Sequence, residues 1–408
     1  MAAMEKNNKN LNVPNLRFPE FSGEWEKCSL GEIGHTSIGL TYSPADVVKE
    51  DGITVLRSSN IQDGEIDYKD LVRVNKKIKD SLFTKKDDIL ICARNGSQRL
   101  IGKNALISDV DAGHSYGAFM MVYRSEENPF VRQLLCTKRY FAQVGENLGA
   151  RINQITTSDM NSFEFFFPQS KEERNKIALF LRIIDERIST QKKIIEDLKK
   201  LKDAINNSLY NNINEFQLFS FNELGNDYSG LTGKSSDDFG SGLPYINYLN
   251  VLRNGIVTDG PFDCVKVSKT EKQNIVSYGD LLFTLSSETP SEVGIGAIYL
   301  GKTNPLYLNS FCFGVHLSNQ ENIYGPYLAY FVTSQYFRRT ILPFAQGSTR
   351  YNLMKSDFMK HKFCFPNMAS QKAIYNALHA LSEKIQNEEV CLNKYTEQKQ
   401  YLLTRLFI

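Results

Sequence analysis

The chain has 408 residues, too many for one ordinary domain and enough for two or three, each able to bury its own core. With 41% apolar and 23% charged residues the composition is that of a soluble globular protein; no apolar run is long enough to span a bilayer, no signal peptide is predicted, and the expected location is cytoplasmic. Lys plus Arg at 48 against Asp plus Glu at 46 give a net charge of +2, far below that of a stand-alone DNA-binding domain, and seven cysteines without a Cys-x-x-Cys pair read as reduced thiols rather than a disulfide framework.

In chain order the sequence is a duplication with an offset of about 190 to 198 residues. Leu30-Gly31-Glu32-Ile33-Gly34 followed by Gly39-Leu40-Thr41 is answered by Phe221-Asn222-Glu223-Leu224-Gly225 followed by Gly230-Leu231-Thr232. Strand-like Val55-Leu56-Arg57-Ser58-Ser59-Asn60 is answered by Tyr245-Ile246-Asn247-Tyr248-Leu249-Asn250, and Asp88-Ile89-Leu90-Ile91 by Asp280-Leu281-Leu282-Phe283. Proline-started helices are predicted over Pro129 to Gln143 and Pro326 to Leu342. They lead into Gly149-Ala150-Arg151-Ile152-Asn153-Gln154-Ile155 and Gly347-Ser348-Thr349-Arg350-Tyr351-Asn352-Leu353, after which Phe167-Pro168 and Phe365-Pro366 close a strand before a long helix.

In the first of these helices apolar residues fall at 177, 181, 184, 188, 195, 198, 205 and 209, with Gln191 and Lys202 in the gaps; the second repeats the seam from Ile374 to Leu406, with Glu388 and Lys399 in the gaps. Alternating steps of four and three make a heptad seam, which pairs with another helix. A parallel pairing would set Lys202 against Lys399. An antiparallel one, with positions summing to 590 opposed, sets Gln191 against Lys399 and Lys202 against Glu388, and is the expected arrangement. The predicted fold is α+β: two tandem mixed α/β domains separated by two long helices forming an antiparallel coiled coil, with pseudo-two-fold symmetry. The boundaries are 1–168 for an amino-terminal arm and the first domain, 169–212 for the first helix, 213–366 for the second domain and 367–408 for the second helix.

This order of domain, helix, domain, helix, with Gly-Leu-Thr near each domain's start and a Gly-small motif carrying Asn before each Phe-Pro, resembles the specificity subunit of type I restriction-modification enzymes across almost the whole chain. Val13-Pro14-Asn15-Leu16-Arg17-Phe18-Pro19 with Gly23-Glu24-Trp25 resembles that family's amino-terminal arm and has no counterpart in the second half. The resemblance implies two target-recognition domains, each reading half of a bipartite, asymmetric site in double-stranded DNA, and helices that set the spacer and dock two modification subunits. It implies no catalysis and no cofactor in this chain. S-adenosylmethionine would belong to the modification subunits, and ATP with magnesium to restriction subunits that translocate and cut DNA. The other readings are a self-contained restriction and methylation enzyme with an unrecognised catalytic motif, and a two-domain scaffold that binds something other than DNA.

Catalytic patterns fail on inspection. Asn128-Pro129-Phe130 lacks a proline of the amino-methyltransferase motif, and Gly230-Leu231-Thr232-Gly233-Lys234-Ser235 lacks the first glycine of a phosphate loop, Tyr228 standing in its place. The five histidines lack metal-ligand spacing, so neither a metal nor a catalytic residue is expected.

Candidate DNA contacts are Arg94, Asn95, Gln98 and Arg99 in the loop after the strand ending at Cys92, because Arg, Asn and Gln can bond two groups on a purine edge. An ordinary solvated loop explains them equally well. Ser286 and Ser287 occupy the matching loop, and Arg151, Gln154, Thr349 and Arg350 the two glycine motifs; Asn153 and Asn352 there read as bonding local backbone. Arg57, Asn60, Asn247, Tyr248 and Asn250 complete the set, although asparagine at strand ends commonly starts a turn.

Overall fold

The computed structural model describes residues 12–150, 153–211, 216–318 and 321–408. The chain divides into two compact units, one of Met1–Lys192 with Cys391–Ile408 and the other of Lys193–Val390. The division cuts through both long helices, Lys171–Asn211 and Met368–Leu406, so each unit owns one end of each.

In the first unit Glu26–Ser29 pairs antiparallel with Glu164–Phe167, the strand that closes at the Phe-Pro. The main sheet runs His35–Ile38, Met120–Arg124, Ile89–Cys92, Asn104–Leu106, all antiparallel. Ile89–Cys92 is apolar at every position because both its faces are covered: Ile89 and Ile91 join the core of Trp25, Phe130 and Phe165, while Leu90 and Cys92 pack with Leu56, Ile61 and Tyr116. A second sheet, in the order Ser115–Tyr116, Ile53–Leu56, Val72–Val74, Val47–Val48, carries Leu56 and Tyr116 to that outer core.

The second unit repeats this plan. Phe216–Phe219 pairs with Phe363–Pro366, and the main sheet runs Gly225–Ser229, Cys312–Leu317, Leu281–Thr284, Gly296–Tyr299, Ile256–Val257. The fully buried strand Leu281–Thr284 again sits centrally, with Leu281 and Phe283 in one cluster and Leu282 in another.

Both proline-started helices differ from expectation in being broken. The first half has Asn128–Leu134 and then Lys138–Ala150; the second has Leu328–Phe331 and then Gln335–Ile341. The cause is a hydroxyl residue at each break. Thr137 Oγ1 donates to the Leu134 carbonyl and accepts from the Tyr140 amide, and Ser334 does the same with Phe331 and Phe337. Each ends one helix and caps the next.

Within each unit the long helices run antiparallel. In the first, Lys399 pairs with Asp185 and the Arg187 guanidinium lies 5.6 Å from the Tyr395 ring centroid, while Ile177, Leu181, Leu402 and Leu406 share one core. In the second, Lys199 Nζ lies 2.6 Å from Glu389, nearer the middle of both helices, and Ile205 packs with Ile374 and Leu378 in the core. Every heptad position with a described side chain is buried or half-buried, Gln191 included; Leu209 lies outside the described side chains. The Lys202 ammonium sits 5.5 Å from the centroid of Tyr330, and burial pulls its pKa below the ordinary lysine range. Glu388 is bridged by Lys384 one turn earlier.

A buried polar residue in the first turn of each long helix shows what the amino-terminal arm contributes. Both Glu173 and its repeat partner Gln371 are buried. Gln371 is satisfied by backbone, donating to the Asn322 and Pro366 carbonyls and accepting from the Tyr324 amide. Glu173 instead takes a bidentate contact from Arg17 of the arm at 2.7 and 2.8 Å, and Arg17 also donates to the Ser22 and Gly23 carbonyls. Glu173→Ala leaves a guanidinium at 15% exposure without its counter-charge. The expected cost is about 2 to 3 kcal/mol, with faster proteolysis of the arm before any other segment; equal protease resistance in the variant would show that Trp25 alone holds the arm.

A second equivalent pair differs in chemistry. Asp88 receives Arg124 through Nε and Nη2 at 2.9 to 3.0 Å, whereas Asp280 is bonded by His316 Nδ1 at 2.8 Å and by the Tyr228 hydroxyl at 2.8 Å. Burial pushes the Asp280 carboxyl up, against the lowering effects of the Ser277 amide, His316 and Tyr228. A raised folded-state pKa gives a contribution present below the ordinary carboxylate range and lost as pH rises through the raised value. The second unit should therefore lose stability over that window, and Asp280→Asn should flatten the loss in denaturation midpoints measured against pH.

Candidate nucleic-acid interface

The loop after each central strand and the glycine motif are joined by the same antiparallel bridge. Arg94 pairs with Gln154 in the first unit and Ser286 with Asn352 in the second. The adjoining hydrogen bonds also repeat. Ala93 N donates to the Phe119 carbonyl and Ile155 N to that of Ala93; Leu285 N donates to Phe311 and Leu353 N to Leu285. Three segments thus meet at one corner of each main sheet: the central-strand loop, the glycine motif and the turn ahead of Met120–Arg124 or Cys312–Leu317.

Gly-Leu-Thr underlies this corner and explains its own repetition. A Cβ on Gly39 would stand 2.3 Å from the carbonyl oxygens of Tyr116 and Gly117, and one on Gly230 would stand 2.0 Å from that of Asn309. The backbones touch here, so only glycine fits. Leu40 N and Leu231 N then bond the Tyr116 and Leu308 carbonyls, pinning the turns that carry Phe119 and Phe311. Lys234, in the false phosphate loop, is paired with Glu271 at 2.5 Å.

The expected contact residues separate into two groups. Arg94, Gln98, Arg99, Thr349 and Arg350 are exposed at this corner and Gln154 is half-exposed. The Arg94 guanidinium lies 5.1 Å from the Phe119 ring centroid, and that of Arg350 lies 4.7 Å from Phe311 while its Nε donates to Ser286 Oγ at 2.9 Å. Arg151 lies outside the described residues.

The other group holds the fold. Asn60 is fully buried; its Oδ1 accepts from the Arg57 amide and its Nδ2 donates to the Asp67 and Asp70 carbonyls. Asn250 accepts from the Asn247 amide in the same way, and Asn247 caps the helix Tyr248–Arg253 and donates to Asp263. These asparagines repeat because each closes a turn. Arg57 is paired with Asp70 at 2.7 Å, and Tyr248 is half-buried at the start of its helix. Asn95 bonds Ser58 Oγ and the Ser97 amide. Ser286 and Ser287 are buried, the first accepting from Arg350 and the second donating to Glu292. Asn153 adopts φ +54° and donates to the Gly96 carbonyl, a local backbone role.

Sequence reasoning missed Phe119 and Phe311, which are 58% and 46% exposed. The available signal was a phenylalanine immediately before the equivalent strands, Ala118-Phe119-Met120 and Ser310-Phe311-Cys312. Among the described residues no group of three or more His, Cys, Asp or Glu side chains could hold a metal ion, and no helix is long and apolar enough to cross a membrane.

Comparison with known proteins agrees with the duplication. The chain is 26% identical over 282 residues to the type I restriction enzyme EcoKI specificity subunit of Escherichia coli K12, covering 63% of this chain and 60% of that one. It is 25% identical over 192 residues to the StySPI specificity subunit of Salmonella potsdam, covering 44% and 41%. The chain thus spans less than two thirds of the length of these curated relatives. The fold is shared with the type I restriction-modification S subunit of M. genitalium, with a TM-score of 0.58 at 16% identity over 97% of this chain and 99% of that one. A chain from a structure of type I restriction-modification complex assembly and conformational transition gives 0.55 at 13% identity over 94% and 97%. The family model for the type I restriction modification DNA specificity domain matches twice, over residues 22–215 and 214–395, so the chain belongs to that family.

Proposed function

We propose that the chain is the DNA-reading, non-catalytic subunit of a type I restriction-modification enzyme, each unit reading one half of a bipartite site. The observation that carries this is the duplicated corner: in two domains of this family the same three segments converge on an exposed guanidinium. Arg94, Gln98, Arg99 and Gln154 are the contacts assigned to one half-site and Thr349 and Arg350 to the other, with Arg151 as a further contact at the first. The two long helices set the spacer between half-sites and dock two modification subunits, which bring S-adenosylmethionine; restriction subunits bring ATP and magnesium. A net charge of +2 suits a subunit whose partners supply much of the phosphate contact.

The test is to map methylated adenines in the genome of cells that express the modification subunits with and without this chain. The expected result is a split, asymmetric motif that appears only with the chain. A genome without such a motif, or a purified chain that transfers methyl groups by itself, refutes the proposal.

A further inference from the structure

The two units reach the same cation–aromatic stack from different strands. In the first, the arginine belongs to the central-strand loop; in the second that place is held by Ser286, and the arginine comes from the glycine motif across the bridge. Yet both guanidiniums lie within cation–π range of the phenylalanine at the same point of the sheet. Both rings are about half exposed, although burying a phenyl ring is worth roughly 1.5 to 3 kcal/mol. Two divergent loops that restore one arrangement by different residues point to the arrangement itself.

We propose that Phe119 and Phe311 are specificity-determining positioning residues, each holding a guanidinium flat for a bidentate contact to a guanine in its half-site. Stacking fixes the plane of an otherwise long and flexible side chain, so less rotamer freedom is lost when the fork engages O6 and N7. On the Arg350 side, the bond from Nε to Ser286 fixes the inner edge and leaves the two terminal nitrogens as the fork. The phenyl edge also offers an apolar contact for a neighbouring thymine methyl. This rests on the DNA-reading function proposed above.

The experiment uses the full chain assembled with its modification subunits and maps methylated sites for the wild type, Arg94→Ala, Phe119→Leu, Phe119→Tyr, Arg350→Ala and Phe311→Leu. The wild-type motif tests the DNA-reading proposal itself; without one, that proposal fails first. Given a motif, Phe119→Leu and Arg94→Ala are expected to relax the same single guanine position of one half-site, with discrimination falling about 5- to 150-fold, the range of one bidentate contact. Phe119→Tyr should restore it. Phe311→Leu and Arg350→Ala should do likewise at the other half-site. A motif unchanged in Phe119→Leu and Phe311→Leu overturns the inference while leaving the DNA-reading function intact. Uniform loss at both half-sites, or a lowered melting temperature of the complex in the leucine variants, also overturns it by showing that the rings support the fold.

Discussion

Asp88→Ala is expected to destabilise the first unit by about 3 to 5 kcal/mol, the range for removing one member of a buried ion pair. Asp88 is 4% exposed and its carboxylate is reached by three donors: Arg124 Nε contacts both oxygens, and Arg124 Nη2 and the Lys85 amide both bond Oδ2. Without it Arg124 keeps its bonds to the Ser81 and Phe83 carbonyls but has a charge at 16% exposure with no counter-ion there. At the size of this unit the cost corresponds to a midpoint lower by roughly 10 °C. Arg124→His should cost less, because the second unit pairs the equivalent carboxylate, Asp280, with His316. Thermal denaturation of the three chains decides it; an alanine variant within about 1 kcal/mol of the wild type would mean that solvent reaches the vacated site. Asp88 stands directly before Ile89–Cys92, the strand that leads to Arg94, so the same loss reaches the corner where Arg94 meets Phe119.

The duplication was legible because it rests on backbone requirements. Gly39 and Gly230 repeat where chains touch, and Asn60 and Asn250 repeat where a turn is closed. For the same reason repetition is a guide to folding first: a residue shared by two diverged halves is more readily a folding device. The antiparallel helix pairing was legible from Lys202 and Lys399, but their partners were not. Asp185 lies off the apolar seam, and Tyr330 comes from a different helix, so no seam arithmetic names either one. The Arg–Phe stacks were hidden because their members lie far apart in sequence and, in the two halves, come from different segments. The helix breaks at Thr137 and Ser334 depended on a hydroxyl turning back to its own backbone, a choice that apolar periodicity does not record.

Phe221→Ala is expected to cost about 3 to 5 kcal/mol in the second unit, as for other large-to-small changes at a fully buried ring. Phe221 is 0% exposed, and its ring centroid lies 5.0 Å from Phe363, 5.3 Å from both Phe283 and Phe358, and 6.2 Å from Phe337. These rings come from the central strand, the strand that closes at Phe-Pro and two helices, so no single side chain can collapse into the vacancy without moving an element. The lost edge-to-face and tilted ring contacts add to the cavity term. The first unit supplies its own control, since Leu30 occupies the equivalent place and Ile91 and Met160 of its core stand where the second unit has Phe283 and Phe358. Phe221→Leu should therefore retain most of the burial and cost under about 2 kcal/mol, with any residual loss measuring aromatic packing alone. Denaturant midpoints for the two variants give the comparison. If leucine proves as damaging as alanine, the box depends on ring shape rather than on filled volume, and the corner where Arg350 meets Phe311, carried on the strands that Phe283 and Phe313 anchor, is held by aromatic geometry in a way its counterpart in the first unit is not.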